Sequence, residues 1–300
     1  MRIFLVLVFL FVLTPAVQSQ DDNGLFDRLS AIENSGITFY NVDGIGFSKQ
    51  TLKFDFSERG LKKAYRKYGL RVEDVTLSDP ELGHANYYVV NQQTLDNGLT
   101  VVSVNYFVEN NSGKVDGYNF NYFGSQHVAF ERKMIPMLMN NQIPERCFNP
   151  LVIDKINFAG RELQLGSNCL WYDVNNVQCP YYGQMNWSVH STQESANAAV
   201  EGQFLATEAK KGGAVVKEEE VAIVFEGEST IAKRVTYDLT GVTSALASLS
   251  GGKSFTIYYV SQKVRGNYVS CVLSFWNNDS INPETGLPSL LEAVMSVPKE

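Results

Sequence analysis

Histidine is scarce in this chain, and the three present, His84, His127 and His190, are scattered. No C-x-x-C, H-E-x-x-H or EF-hand loop accompanies them, so a zinc centre, which needs three or four clustered ligands, is not expected. No G-x-S-x-G elbow occurs, and no cysteine carries a hydrolase-type flank. Gly44-Ile45-Gly46 lacks the third glycine and following helix of a nucleotide-binding turn. Positive charge is also in deficit, with 25 Lys and Arg against 32 Asp and Glu and a net charge of -7. Such a balance argues against nucleic acid as a partner, because phosphate binding needs a positive surface. Long apolar runs are missing beyond the first residues, so no transmembrane segment is expected in the mature chain.

The one apolar run is at the N-terminus. Arg2 precedes an uninterrupted stretch from Ile3 to Leu13, and Pro15, Ala16, Val17 and Ser19 follow. This order predicts a secretory signal peptide over 1–19, cut near Ser19–Gln20, and hence an exported protein, periplasmic or extracellular. Hydrophobic residues make up 44% and charged residues 19% of the chain, a balance suited to a packed globular protein rather than a disordered one.

Cysteine is sparse too, with Cys147, Cys169, Cys179 and Cys271. An even number in an exported chain favours disulfides, and four cysteines allow three pairings. The favoured pairing is Cys169–Cys179, closing a short loop around Asn175-Asn176, with Cys147–Cys271. Four reduced, buried cysteines are the alternative.

Period-two alternation dominates what remains. Leu52, Phe54 and Phe56 alternate with Lys53 and Asp55. Ser57 reads as the cap of a helix through Leu70, with Leu61, Ala64, Tyr65 and Tyr68 as its apolar stripe. A hairpin with arms near 86–94 and 99–108 turns at Asp96-Asn97-Gly98. On the next strand Tyr118, Phe120 and Tyr122 oppose Asn119 and Asn121. Residues 126–139 read as a helix containing Pro136. After an irregular, cysteine-bearing stretch comes a strand at 184–190. A helix at 191–211 carries Ala196, Ala199, Val200 and Phe204 inward. Strands follow at 218–225 and 229–239, the second with Ile231, Val235, Tyr237 and Leu239 inward. A hairpin over 254–276 buries Cys271 on its second arm, and a closing helix spans 286–297.

The expected class is α+β, with antiparallel sheets and packed helices in two similar-sized layered domains. The divisions are a signal peptide at 1–19, an N-terminal domain at 20–145, a cysteine-bearing connection at 146–183 and a C-terminal domain at 184–300. In the last of these, the segments AAVEGQFLATE, VAIVFEGESTIAKRVTYDL, FTIYYVSQKVRGNYVSCVLSFW and GLPSLLEAVMSV resemble the PsbP/Mog1-like α/β/α sandwich. That resemblance implies a fold used mostly for binding or assembly, without catalytic residues, and transfers no functional residue.

Several residues are candidates for a site. His127 and Glu131, four apart on a predicted helix, share a face and form either part of a metal or acid–base site or a plain surface pair; two residues alone fall short of the three or four ligands zinc needs. Lys62, Lys63, Arg66 and Lys67 concentrate positive charge on one helix and form either a face that docks an acidic partner or membrane surface, or a solvated surface. Tyr181 and Tyr182, a loop doublet, are the candidate ligand-binding rings, whereas Tyr258-Tyr259 reads as a strand pair buried on both faces. Sequons stand at Asn110, Asn186 and Asn278. The leading expectation is an exported, non-enzymatic binding or accessory protein without cofactor. Its partner, a small ligand or a protein, is not specified by these residues. The alternative is a secreted hydrolase acting on polysaccharide or peptidoglycan through a carboxylate pair, whose pairing is spatial and leaves no local signature.

Overall fold

A computed structural model describes residues 24–151, 153–166, 168–240 and 252–298; the predicted signal peptide lies outside them. Strands take 49% of the described residues and helices 21%. This overturns the α+β expectation: the fold is β-rich and sandwich-like, built on two large sheets and one small one. The excess of strand comes mostly from residues 30–51 and from four-residue strands between 155 and 179, while of residues 286–297 only Met295–Ser296 are strand.

The first sheet contains β1 (Ser30–Asn34), β2 (Ile37–Val42), β3 (Ile45–Asp55), β4 (Asn86–Thr94), β5 (Thr100–Glu109), β6 (Lys114–Phe123) and β7 (Phe148–Asn149), in the order β4-β5-β6-β3-β2-β1-β7. All neighbours are antiparallel except β1 and β7. Alternation sets its two faces. Tyr118, Phe120 and Tyr122 are buried in one core with Met134, Ile135 and Leu138 of α2 (Val128–Met139). On the opposite face Leu52, Val89, Phe107 and Val115 pack against Leu61, Ala64 and Tyr65 of α1 (Glu58–Lys67). Ser57 caps α1 by accepting from the Gly60 amide at 3.2 Å, as its position predicts.

A hairpin of β8 (Lys155–Phe158) and β9 (Arg161–Gln164) forms the small sheet. The second large sheet holds β10 (Leu170–Asp173), β11 (Asn176–Cys179), β12 (Gly183–His190), β13 (Gly213–Phe225), β14 (Glu228–Leu239), β15 (Ser254–Val264), β16 (Asn267–Trp276) and β17 (Met295–Ser296). Its order is β10-β11-β12-β16-β15-β14-β13-β17. The stretch expected to be an irregular connection thus supplies strands to all three sheets.

α3 (Gln193–Glu208) covers one face of the second sheet, where Phe204 meets Val235, Tyr237, Ile257 and Tyr259. Tyr258 faces the other core, so both rings of the 258–259 doublet are buried. Ile231 shares the parity of Val235 but is 58% exposed, because the cover of α3 does not reach it. The predicted closing helix is reduced to one turn, α4 (Ser289–Glu292), after which β17 pairs with the edge of β13.

The β2–β3 turn links the two halves. Asp43 and Gly44 both have positive φ, 51° and 79°, as a tight two-residue hairpin requires. The Asp43 amide donates to the Val189 carbonyl at 3.2 Å, and the Asp43 carboxylate accepts from the Ser191 amide at 2.7 Å. Ser188 Oγ donates to Asn41 Oδ1 at 2.8 Å. A Cβ added at Gly44 would lie 3.1 Å from His190 Cε1 and 3.2 Å from Ala199 Cβ, so the turn fits closely against both.

Cys169 and Cys179 are joined, whereas the Cys147–Cys271 pairing does not exist. Both remaining thiols are free and buried, Cys147 in the core of the first sheet and Cys271 in that of the second. β16 turns Cys271 inward and the short helical turn at Glu145–Cys147 turns Cys147 inward, and the two inward directions lead to different cores. Burial pushes both thiols up from their ordinary range, Cys271 furthest. The disulfide closes a loop of sequence separation 10. Substituting Cys169 and Cys179 together by serine should therefore cost about 2.5 kcal/mol on the loop-entropy account. The urea midpoint under non-reducing conditions checks this, and an unchanged midpoint contradicts it.

Candidate functional site

The disulfide forms one wall of a cavity of about 230 Å³. Leu163, Gln164, Leu165 and Gly166 approach from β9 and the residues after it, and Ser289, Leu290 and Ala293 from α4 and its end. Tyr182 completes the lining from the turn between β11 and β12. That turn is pinned on both sides. The Tyr182 amide donates to the Cys179 carbonyl at 2.8 Å, and the Leu290 amide donates to the Tyr182 carbonyl at 3.2 Å. Gly183, at φ 100°, lets the chain pass α4: a Cβ there would stand 2.7 Å from Leu291 Cδ1. Among the described residues, no charged side chain lines this cavity. Such a lining can desolvate an apolar group, and Gln164, Ser289 and Tyr182 supply its polar side chains.

Of the predicted ring pair, only Tyr182 reaches the cavity. Tyr181 takes a left-handed conformation at φ 70°, is 64% exposed, and gives its carbonyl to the Ser280 amide. The remaining walls were invisible to sequence reasoning, because β9 and α4 are more than a hundred residues apart and carry no shared motif. The loop position of the tyrosine doublet was the available signal.

His127 and Glu131 separate. His127 is exposed at the start of α2 and stacks on Tyr122, with ring centroids 5.0 Å apart. Glu131 is fully buried and accepts from Tyr106 Oη at 2.8 Å and Gln126 Nε2 at 2.7 Å. Burial first, and then the Glu131 carboxylate, push the phenols of Tyr106 and Tyr122 far above their ordinary range. This is a buried hydrogen-bonded cluster in the first core, with no surface acid–base pair.

The basic residues are displayed on the outer face of α1. Lys62 pairs with Glu58 at 2.6 Å, and Lys63 lies 5.7 Å over the Phe54 ring. Arg66 and Lys67 are exposed. Three of the chain's carboxylates beside grooves or in the core are held by partners. Asp79 holds Arg132 at 2.7 Å. Glu226 and Glu292 line one open groove, but Glu226 is bound to Arg161 and Arg265, and Glu292 accepts from Asn282 and Thr285. Neither is poised for proton transfer, which needs a carboxyl free to reach a substrate. Among the described residues, no three of His, Cys, Asp and Glu gather into a metal-binding group. No described helix is long and apolar enough to cross a membrane. Compared with family models, curated proteins and solved structures, the chain finds no match in any of the three.

Proposed function

We propose that this is an exported binding protein that takes a small apolar ligand in the Tyr182 cavity. The observation that carries the reading is a half-enclosed, charge-free cavity braced by a disulfide. An intramolecular disulfide is consistent with an exported chain. An engineered apolar cavity of about 150 Å³ is enough to hold benzene, so about 230 Å³ accommodates a bicyclic ring or a short acyl chain. The PsbP/Mog1-like resemblance of the last third points towards binding as well. Its second helix is reduced here to one turn.

Indole and 1-octanol are suitable probes for isothermal titration. Small ligands of this size gain at most about 1.5 kcal/mol per heavy atom and usually far less, so a Kd of about 0.1–1 mM is expected. Leu290→Trp and, separately, Leu163→Trp fill the cavity and should abolish binding, with the far-ultraviolet circular dichroism unchanged. Absence of binding by both probes, or equal binding by a folded filled variant, overturns the proposal.

A further inference from the structure

A second concavity, of about 420 Å³, lies where the two halves meet, and it shares no lining residue with the Tyr182 cavity. We infer that it binds a neutral polyhydroxy ligand of monosaccharide size. Its lining has three side-chain amides brought from distant parts of the chain: Asn149 in the first sheet's edge strand β7, Asn157 in the small hairpin, and Asn267 at the start of β16.

Each amide is half used. Asn149 Nδ2 donates to the Ala31 carbonyl at 3.4 Å, leaving its Oδ1. Asn157 Oδ1 accepts from the Gly160 amide at 2.8 Å, leaving both N–H groups of Nδ2. Asn267 Nδ2 donates to the Ala159 carbonyl at 3.5 Å, again leaving Oδ1. These bonds orient the amides while reserving two acceptor oxygens and four N–H donors around one space, one donor each on Asn149 and Asn267 and two on Asn157. A vicinal diol, which donates and accepts at each oxygen, can use both kinds; a carboxylate or phosphate, which only accepts, can use the donors alone. Three charged groups, Asp27, Arg28 and Arg146, also line the concavity, and each is held in an ion pair. Arg28 is held by Asp43 at 2.9 Å, and Arg146 by Asp27 at 3.2 Å. Phe26, Trp187 and Val189 give the lining an apolar part, the last two as edges of the buried core. The volume is sufficient for one ring with its first-shell water, and it lies within the ordinary range of small-molecule sites.

The test is saturation-transfer NMR and isothermal titration of the full mature chain with methyl glucoside, N-acetylglucosamine and galacturonate. At least one neutral sugar should bind, and galacturonate should bind no more tightly than the neutral pair. Asn267→Leu should weaken that binding at least tenfold. Ser30→Trp, which fills the cleft from β1 and leaves all three asparagines in the chain, should abolish it. Ser30→Trp also keeps the test informative if Asn267→Leu disturbs the hairpin. Indole binding at the Tyr182 cavity is measured in parallel, so failure of one site is distinguishable from failure of the other. No binding by either neutral sugar overturns the inference. So does binding by galacturonate alone, or unchanged affinity in a folded Ser30→Trp variant.

Discussion

Replacing Glu226 by alanine should destabilise the protein by about 3 kcal/mol, the lower end of the cost of breaking a buried ion pair. Glu226 occupies the β13–β14 turn with φ 52°, and its side chain is 2% exposed. Arg161 of β9 and Arg265 of the β15–β16 turn both donate to its carboxylate. The same guanidiniums reach backbone carbonyls, Arg161 to Ala293 at 2.7 Å and Arg265 to Phe158 at 2.6 Å and Ala159 at 3.1 Å. The Glu226 amide donates to Val294 at 2.8 Å. One carboxylate therefore gathers the small hairpin, two turns of the second sheet and the end of α4. Removing it leaves two cations facing each other with no anion between them. Their side chains are 40% and 33% exposed, so water recovers part of the loss, which is why the lower end of the range applies. Glu226→Gln keeps the shape and some hydrogen bonds and should cost less than Glu226→Ala. The shift of the urea midpoint at unchanged slope measures both. A loss below about 1 kcal/mol for the alanine variant would show the cluster to be an ordinary surface network.

The Glu226 cluster was not legible in the sequence, because its partners stand 65 and 39 residues away and ion pairing has no period. What was legible is local. The Ser57 cap, the Asp96-Asn97-Gly98 turn and the split of Tyr118, Phe120 and Tyr122 from Asn119 and Asn121 follow from neighbours in the chain. Cys169–Cys179 belongs to the same class, since a short loop brings its ends together whatever the fold. Cys147–Cys271 failed because inward-facing says nothing of which core is faced. The closing helix failed for an energetic reason. Leu290, Leu291 and Val294 have helical spacing, yet after α4 the backbone groups of Met295 and Ser296 gain partners on the open edge of β13, which a lone short helix cannot offer. Of the candidate site, Tyr182 was accessible as a loop aromatic. The apolar walls were not, because Leu163 and Leu290 look like any core leucine until the sheets are assembled.

The second large effect is expected on acidification. His190 ends β12, 2% exposed, with Nδ1 3.0 Å from Ser195 Oγ on α3 and Nε2 2.8 Å from Ser270 Oγ on β16. Burial holds its pKa down to about 4; Asp43 opposes that shift and Arg28 adds to it. Because the unfolded chain binds a proton near the ordinary value of 6.5, the folded state keeps its full advantage from neutral His190 above that pH. As pH falls from 6.5 towards 4, the unfolded state takes up the proton first, and stability declines; below 4 both states are charged and the loss levels off. At about 1.36 kcal/mol per pH unit of displacement, the loss attributable to this one group at pH 4 is about 3 kcal/mol. Its two serine partners and the Asp43–Gly44 turn packed on its ring place the effect at the junction of the two halves. Acid should therefore loosen that junction before it melts either sheet, and hydrogen exchange of the Asp43 and Ser191 amides should rise first. His190→Gln has no proton to bind in this range. Its urea stability should be lower at pH 7 but fall less steeply between pH 6.5 and 4. Carboxylates remote from His190 contribute equally to both proteins, so the difference between the two curves reports the imidazole together with its coupling to Asp43. Parallel curves would show that His190 already carries a proton in the fold at neutral pH, or that the unfolded chain shields it equally, and the junction would then have no acid sensitivity of this origin.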